Sequence, residues 1–123
     1  MAPRAYVIED HPSVSESLTG ALVELAQVDV VGQACSEGEA CSWLAQHPDD
    51  WDLVIIDIFL KQGSGIGVLA ACKDRKPGQK VAVLTGYATP EIRRVCMDFN
   101  ADAVFDKGTD TEALIEYCRE LTA

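Results

Sequence analysis

Short apolar runs alternate with stretches of helical spacing along the whole chain. Ala5–Glu9 (AYVIE) is a β-rich apolar run that ends abruptly in acid. After it Val14, Leu18, Ala21, Leu22 and Leu25 recur at helical spacing, with Pro12 where a first-turn proline is tolerated. Val28–Ala34 reads as a second strand, and Ser36 followed by Glu39 has the spacing of a capping box for a helix through Gln46. Leu53–Asp57 (LVIID) is the most strand-like run. A glycine-bearing loop, Lys61–Gly65, leads into a helix over 66–75, and Lys80–Leu84 (KVAVL) is a fourth strand. Thr89-Pro90-Glu91 supplies an N-cap, a first-turn proline and an early acid for a helix to Phe99. Ala103–Phe105 is a brief fifth strand, and Thr109 or Asp110 caps a last helix carrying Leu114, Ile115, Cys118 and Leu121.

Strands and helices in strict alternation are the grammar of a parallel sheet covered on both faces. Several runs are continuously apolar rather than alternating, as doubly buried strands are. The expected fold is therefore α/β: a flavodoxin-like, doubly wound five-stranded parallel sheet with five helices. The order 2-1-3-4-5 is chosen as the common solution for a short chain. Residues 1–123 are read as one domain, since this length can bury a core without staples.

In that order the strand sequence reverses between strands one and three, and ligands of open α/β sheets bind there, at the carboxyl ends. The residues at those ends are chemical ones: Glu9 and Asp10 after strand one, Asp57 after strand three, Thr85 after strand four, Lys107 past strand five. Each has an ordinary alternative. Asp10 alone reads as a helix cap, Thr85 as a strand-end threonine and Lys107 as a solvated cation. Together they converge on one crevice. Three carboxylates packed there repel unless a cation joins them. Mg²⁺, a hard ion that takes one or two carboxylates and keeps waters, suits a shallow site. With Lys107 in reach the third party is a phosphoryl group, to which the Thr85 hydroxyl donates and which Asp57 attacks in line.

Charge and cysteine usage narrow the class further. Twenty Asp+Glu against ten Lys+Arg give a net charge of −10, which argues against direct nucleic-acid binding by this domain. No apolar run approaches the length of a membrane span, and the start has no signal-peptide pattern. Cysteines at 35, 41, 72, 96 and 118 form no CxxC, and with only His11 and His47 as added ligands a zinc site is a poor reading. They are expected as reduced, small apolar core residues of a cytoplasmic protein. Gly63, Gly65 and Gly67 have the spacing GxGxG, not that of a dinucleotide loop, and are read as loop and helix-entry residues. Arg93-Arg94 is read as a solvated pair, Asp49-Asp50 with Asp52 as a turn, and Trp43 and Trp51 as partly buried anchors.

The segments VIEDHPSV (7–14), LVIIDIFLKQGSG (53–65), VAVLTGYAT (81–89) and ADAVFDKGT (101–109) resemble the receiver domains of two-component response regulators, over essentially all of 5–121. The resemblance implies that Asp57 is the phosphoacceptor. It implies that Asp10, Asp57 and the Phe59 backbone carbonyl bind Mg²⁺ directly, with Glu9 acting through water. Lys107 would pair with the phosphoryl oxygens, and Thr85 would be the switch hydroxyl. The implied partners are a sensor histidine kinase or phosphotransfer protein upstream, and an effector protein or fused output domain downstream. A phosphorylation-dependent homodimer is left open. Such a domain catalyses only its own phosphotransfer and slow autodephosphorylation. The Asp10-His11-Pro12 start resembles receivers that precede a helix-turn-helix domain, which suggests the N-terminal part of a longer transcriptional regulator.

Three positions depart from the pattern. Lys61 stands where the family usually has proline, which leaves the loop less constrained. Val104 stands where an aromatic ring usually couples to the threonine, so that rotamer switch is unavailable, and Tyr87 is the substitute partner to consider. Phe59 and Tyr87, each two residues past a functional residue, are expected to flank the acceptor and hinder an attacking water. Two other classes compete. A haloacid-dehalogenase-type hydrolase would carry its aspartate on the first strand with a cap domain nearby. A receiver-like interaction module would act without phosphorylation.

Overall fold

The computed structural model describes residues 2–122. The elements run β1 (Arg4–Ile8), α1 (Pro12–Ala26), β2 (Asp29–Ala34), α2 (Glu37–Gln46), β3 (Leu53–Ile56), α3 (Gly65–Ala71), β4 (Lys80–Thr85), α4 (Pro90–Asp98), β5 (Ala103–Asp106) and α5 (Thr111–Thr122). The five strands are all parallel, in the order β2-β1-β3-β4-β5. This is the flavodoxin-like α/β architecture expected from the sequence.

Alternate residues of each strand point to opposite faces and meet different helices. Tyr6, Ile8, Val54, Ile56, Val81 and Val83 pack with Ala40 and Leu44 of α2, Val68 and Leu69 of α3 and Cys96 of α4. Ala5, Val7, Leu53, Ile55, Ala82 and Leu84 pack with Leu18 and Leu22 of α1 and Leu114, Ile115 and Cys118 of α5. The β1–β3–β4 centre is buried on both sides, so its sequence is apolar without alternation.

Local signals account for most boundaries. Pro90 opens α4 behind Thr89, whose hydroxyl accepts from Ile92 N at 3.2 Å. Ser36 accepts from Glu39 N at 3.2 Å, while the Glu39 carboxylate reaches one residue beyond the cap to Cys35 N at 2.8 Å. At α5 the Asp110 carbonyl accepts from Leu114 N at 3.0 Å. Its carboxylate turns instead to Asp106 N (2.9 Å) and Arg93 (3.4 Å), so it does not cap the helix. Asp10 is not a cap either: the N-cap of α1 is His11, whose ring makes no capping bond and instead meets Glu9 Oε2 at 3.1 Å, and Pro12 follows.

Several expectations are corrected. Helix α3 ends at Ala71 rather than Arg75, because the Arg75 guanidinium is drawn to the carbonyls of Cys72, Gln79 and Asn100 and to Asp102. The buried face of α1 runs through Ser15, Leu18, Leu22 and Ala26; Leu25 falls off that stripe and is 52% exposed. Cys72, Cys96 and Cys118 are buried and Cys41 half-buried, but Cys35, beyond the end of β2, is exposed. Trp51 is buried, and half-buried Trp43 stacks on Tyr6 with ring centroids 4.0 Å apart.

The core carries an alkaline liability. Burial pushes the Tyr6 phenol up to about 12 and the Cys72 and Cys118 thiols up to about 11. The folded state therefore favours their neutral forms. Their contribution is fully present below the unfolded values, about 8.5 for thiols and about 10 for tyrosine, and is lost as pH rises through the folded ones. Urea midpoints are expected to fall steadily above pH ~8.5 and most steeply beyond pH ~10. Tyr6→Phe should flatten the steepest part, and a Tyr6→Phe curve parallel to wild type there would assign the loss elsewhere.

Candidate functional site

The carboxyl ends of β1, β3, β4 and β5 deliver Glu9 and Asp10, Asp57, Thr85 and Lys107 to one edge of the sheet. In every case but Thr85 the residue lies just past the hydrogen-bonded strand, where the ladder no longer dictates its direction. Backbone contacts fix them all the same. Glu9 N donates to Ala34 O (3.0 Å), Asp57 N to Ile8 O (3.0 Å) and Lys107 N to Thr85 O (3.0 Å). Gly65 lets α3 start against the chain after Asp57, since a Cβ there would run into the Asp57 carbonyl and Ile58 Cα.

Glu9, Asp57 and Thr85 are 6%, 5% and 0% exposed, unusual burial for two acids that are not a simple ion pair. Lys107 joins them: its ammonium lies 2.9 Å from Asp57 Oδ2 and also bonds Glu9 Oε1. Phe59 N donates to Asp57 Oδ1 at 3.1 Å, and Tyr87 N to the Thr85 hydroxyl oxygen at 3.3 Å. Asp10 receives Lys61 N on Oδ2 at 2.6 Å. Its other oxygen, Oδ1, is buried and has no hydrogen-bond partner among the described residues, although His11 Nδ1 lies 3.0 Å away.

The electrostatics follow from burial and that one shared cation. Burial pushes the Asp57 carboxyl above its ordinary range, and the pull of Lys107 does not fully offset it, with the Glu9 charge adding to the rise. Burial also pushes Glu9 up, but Lys107 and the His11 N–H outweigh it and hold that carboxyl below the usual range. Burial would lower Lys107; its bonds to Glu9 and Asp57 win, and its ammonium is held above the ordinary value.

Glu9, Asp10, His11 and Asp57 each place one ligand atom so that all lie within 4.8 Å of one another. The orphaned Asp10 Oδ1 is the observation that tests a cation here. A buried, uncompensated carboxylate oxygen is costly, and the set is dominated by hard oxygen donors. The residues fit a divalent ion of the Mg²⁺ class.

The residues expected around the site have the following contacts. Phe59 and Tyr87 meet edge to face, centroids 5.2 Å apart at 75°. Tyr87 is 66% exposed, so its ring packs on Phe59 while only its backbone meets Thr85. Val104 is half-buried against the core. Its carbonyl receives Arg93 Nη1 at 3.1 Å, and the same guanidinium reaches Ala88 O (3.1 Å) and Asp110. Arg93 is thus a bridge from α4 to the loop after β4, to β5 and to the start of α5, not the solvated residue expected; Arg94 is exposed. Glu37, which the sequence did not single out, bonds the loop between β3 and α3. Only a partner remote in sequence reveals either residue.

Residues 5–119 match the response regulator receiver domain family. The chain is 30% identical over 89 residues to the DNA-binding transcriptional activator DevR/DosR of Mycobacterium tuberculosis, covering 72% of this chain and 40% of that protein. It is 29% identical over 123 residues to the response regulator GacA of Pseudomonas aeruginosa, covering 98% of this chain and 55% of that protein. It thus spans about half the length, or less, of these relatives. The response regulator domain of Thermotoga maritima CheB superposes with a TM-score of 0.86 at 18% identity, over 100% of this chain and 98% of that one, and shares the fold. With the family match spanning nearly the whole chain, this protein belongs to the response regulator receiver domains, the signalling modules of two-component systems.

Proposed function

We propose that residues 1–123 form a single receiver domain that accepts a phosphoryl group on Asp57 from the phosphohistidine of a sensor kinase or phosphotransfer protein, with Mg²⁺ as cofactor. The observation that carries this reading is the buried Glu9–Lys107–Asp57 bridge beside the unpartnered Asp10 Oδ1. In the transfer an Asp57 carboxylate oxygen forms the new P–O bond while the donor's P–N bond breaks, its electron pair passing to the imidazole nitrogen, which takes up a proton from water. Asp10, Asp57 and the Phe59 carbonyl would hold the metal, with Glu9 acting through water. Mg²⁺, when bound, supplies positive charge against the phosphoryl oxygens. The Phe59 N–H fixes one Asp57 oxygen, Lys107 is placed to follow the charge from carboxylate to phosphoryl oxygen, and the Thr85 hydroxyl turns toward the phosphoryl group. That shift alters the loops after β3 and β4 and so a protein-binding face, biasing an equilibrium that already exists.

By this reading the domain turns over no separate substrate and is cytoplasmic; no described helix is long and apolar enough to cross a membrane. Its output is an effector protein or a fused output domain, in the manner of a transcriptional regulator. The assembled pocket disfavours a module that works without phosphorylation. Incubation with acetyl phosphate, with and without Mg²⁺, followed by intact mass, is expected to give a Mg²⁺-dependent phosphoryl adduct. No adduct in either condition would return the chain to the interaction module. Sustained phosphate release without a trapped adduct would make it a hydrolase.

The aromatic pair bears on the lifetime of that adduct. Edge-to-face packing is worth about 0.5–1.5 kcal/mol, enough to favour the contact between these two exposed rings, and by this reading the pair screens the acceptor. Phe59→Ala and Tyr87→Ala are each expected to lose the phosphoryl group several-fold faster by admitting water. Slower loss in either variant than in wild type would reject the screening role.

A further inference from the structure

The loop from Phe59 to Ser64 carries three hydrogen bonds that its own turn does not require. At its middle, Lys61 N donates to Asp10 Oδ2; farther on, Glu37 of α2 grips it twice. The Glu37 carboxylate accepts from Ser64 N at 2.8 Å, and Glu37 N donates to Gln62 O at 3.1 Å. Helix capping does not use this carboxylate, because Ser36 and Glu39 already serve the first turn of α2. The side chain lies in a slot made by two glycines. A Cβ at Gly63, whose φ is +85°, would collide with Glu37 Cβ, and one at Gly67 would collide with its carboxylate. The slot, the carboxylate bond and the backbone bond all fix one segment against α2.

That segment has one polar product at the site. By holding residues 62 and 64, Glu37 holds the amide of residue 61, and that amide takes up one oxygen of a nearly buried carboxylate. The other oxygen, Asp10 Oδ1, has no hydrogen-bond partner among the described residues. A proline at 61 would have no N–H to give. Lys61 therefore does more than loosen the loop: it supplies the donor, and Glu37 supplies the restraint.

We propose that Glu37 is a positioning residue for the cation site, holding the Lys61 amide on Asp10 Oδ2 so that Oδ1 is aimed at the metal. The proposal rests on Asp10 being a metal ligand. Groups that orient a ligand from behind commonly change metal affinity by 10–100-fold when removed. The test is Mg²⁺ titration by calorimetry on wild type, Glu37→Ala, Glu37→Gln and Gly67→Ala, each first shown to be folded by its urea transition. Glu37→Ala is expected to bind Mg²⁺ about tenfold more weakly. Glu37→Gln keeps an oxygen for Ser64 N and should bind close to wild type. Gly67→Ala keeps Glu37 but fills its slot, and should weaken binding although alanine is the better helix former; it carries the test if Glu37→Ala does not fold. Wild-type affinity in either alanine variant overturns the proposal, as does a glutamine variant as weak as the alanine one. No Mg²⁺ binding by wild type overturns the reading of Asp10 as a ligand and the positioning role with it.

Discussion

Asp57→Asn is expected to carry no phosphoryl adduct under conditions in which the wild-type protein is labelled by acetyl phosphate and Mg²⁺. Asparagine has nearly the same shape and keeps an oxygen to accept Phe59 N, so the loop after β3 should hold its place. What disappears is the anionic oxygen that forms the bond to phosphorus. Removing the nucleophile of a covalent transfer costs orders of magnitude, and labelling should fall by more than about a thousandfold. Intact mass and peptide mapping read the outcome directly. Labelling of Asp57→Asn at the wild-type rate would move the acceptor to another carboxylate, for which Asp10 and Glu9 are the neighbours to map first. Asp57 is only 5% exposed and its carboxylate is bonded by Lys107 and the Phe59 amide, so the substitution acts on a nearly buried group. Loss of labelling in Asp57→Asn with an unchanged urea transition would separate this chemistry from any effect on the fold.

The site was legible in the sequence because its members announce themselves locally. An apolar run that stops on an acid, as at Glu9 and Asp57, places a charged group at a strand end whatever the rest of the chain does. Four such ends become one site once the sheet is parallel, since all carboxyl ends then share an edge. The strand order was a different matter: periodicity gives elements, not neighbours, and 2-1-3-4-5 rested on how often short doubly wound chains adopt it. Residues whose importance lies in a distant partner were not legible. Arg93 looks like half of a basic pair until its guanidinium is seen joining Ala88, Val104 and Asp110. Arg75 and Asp102, 27 positions apart, meet beside β4 and close off α3. Leu25 fits a helical repeat yet lies outside the buried stripe, because a repeat marks a face and not its width. Tyr87 was read as a substitute partner for Thr85; its ring packs edge to face on Phe59, a packing preference that spacing does not encode.

Lys107→Met is expected to destabilise the metal-free domain and, at the same time, to make it more responsive to Mg²⁺. Methionine retains much of the aliphatic stem but none of the charge. Glu9 and Asp57, whose side chains are 3% and 6% exposed, would then face each other without a cation. Removing one partner of a buried ionic cluster costs about 3–5 kcal/mol. The lower end applies here, because the Lys107 side chain is itself 23% exposed and solvent can screen the remaining charges. In wild type an added divalent ion meets carboxylates that Lys107 already neutralises in part, so its binding competes with the bridge. In the variant that competition is gone. If Mg²⁺ binds the variant about tenfold more tightly, saturating metal returns about 1.4 kcal/mol more stability to it than to wild type. Urea transitions of both proteins, in chelator and in excess Mg²⁺, measure the four stabilities this requires. An equal Mg²⁺ increment in the two proteins would show that Lys107 and the metal do not share the same carboxylates. Undiminished stability of the metal-free variant would show that the buried bridge contributes nothing net to folding. The expected pattern, a weaker apo domain with a larger metal response, would identify Lys107 as the cation that holds the acceptor pocket together until a metal and a phosphoryl group enter it.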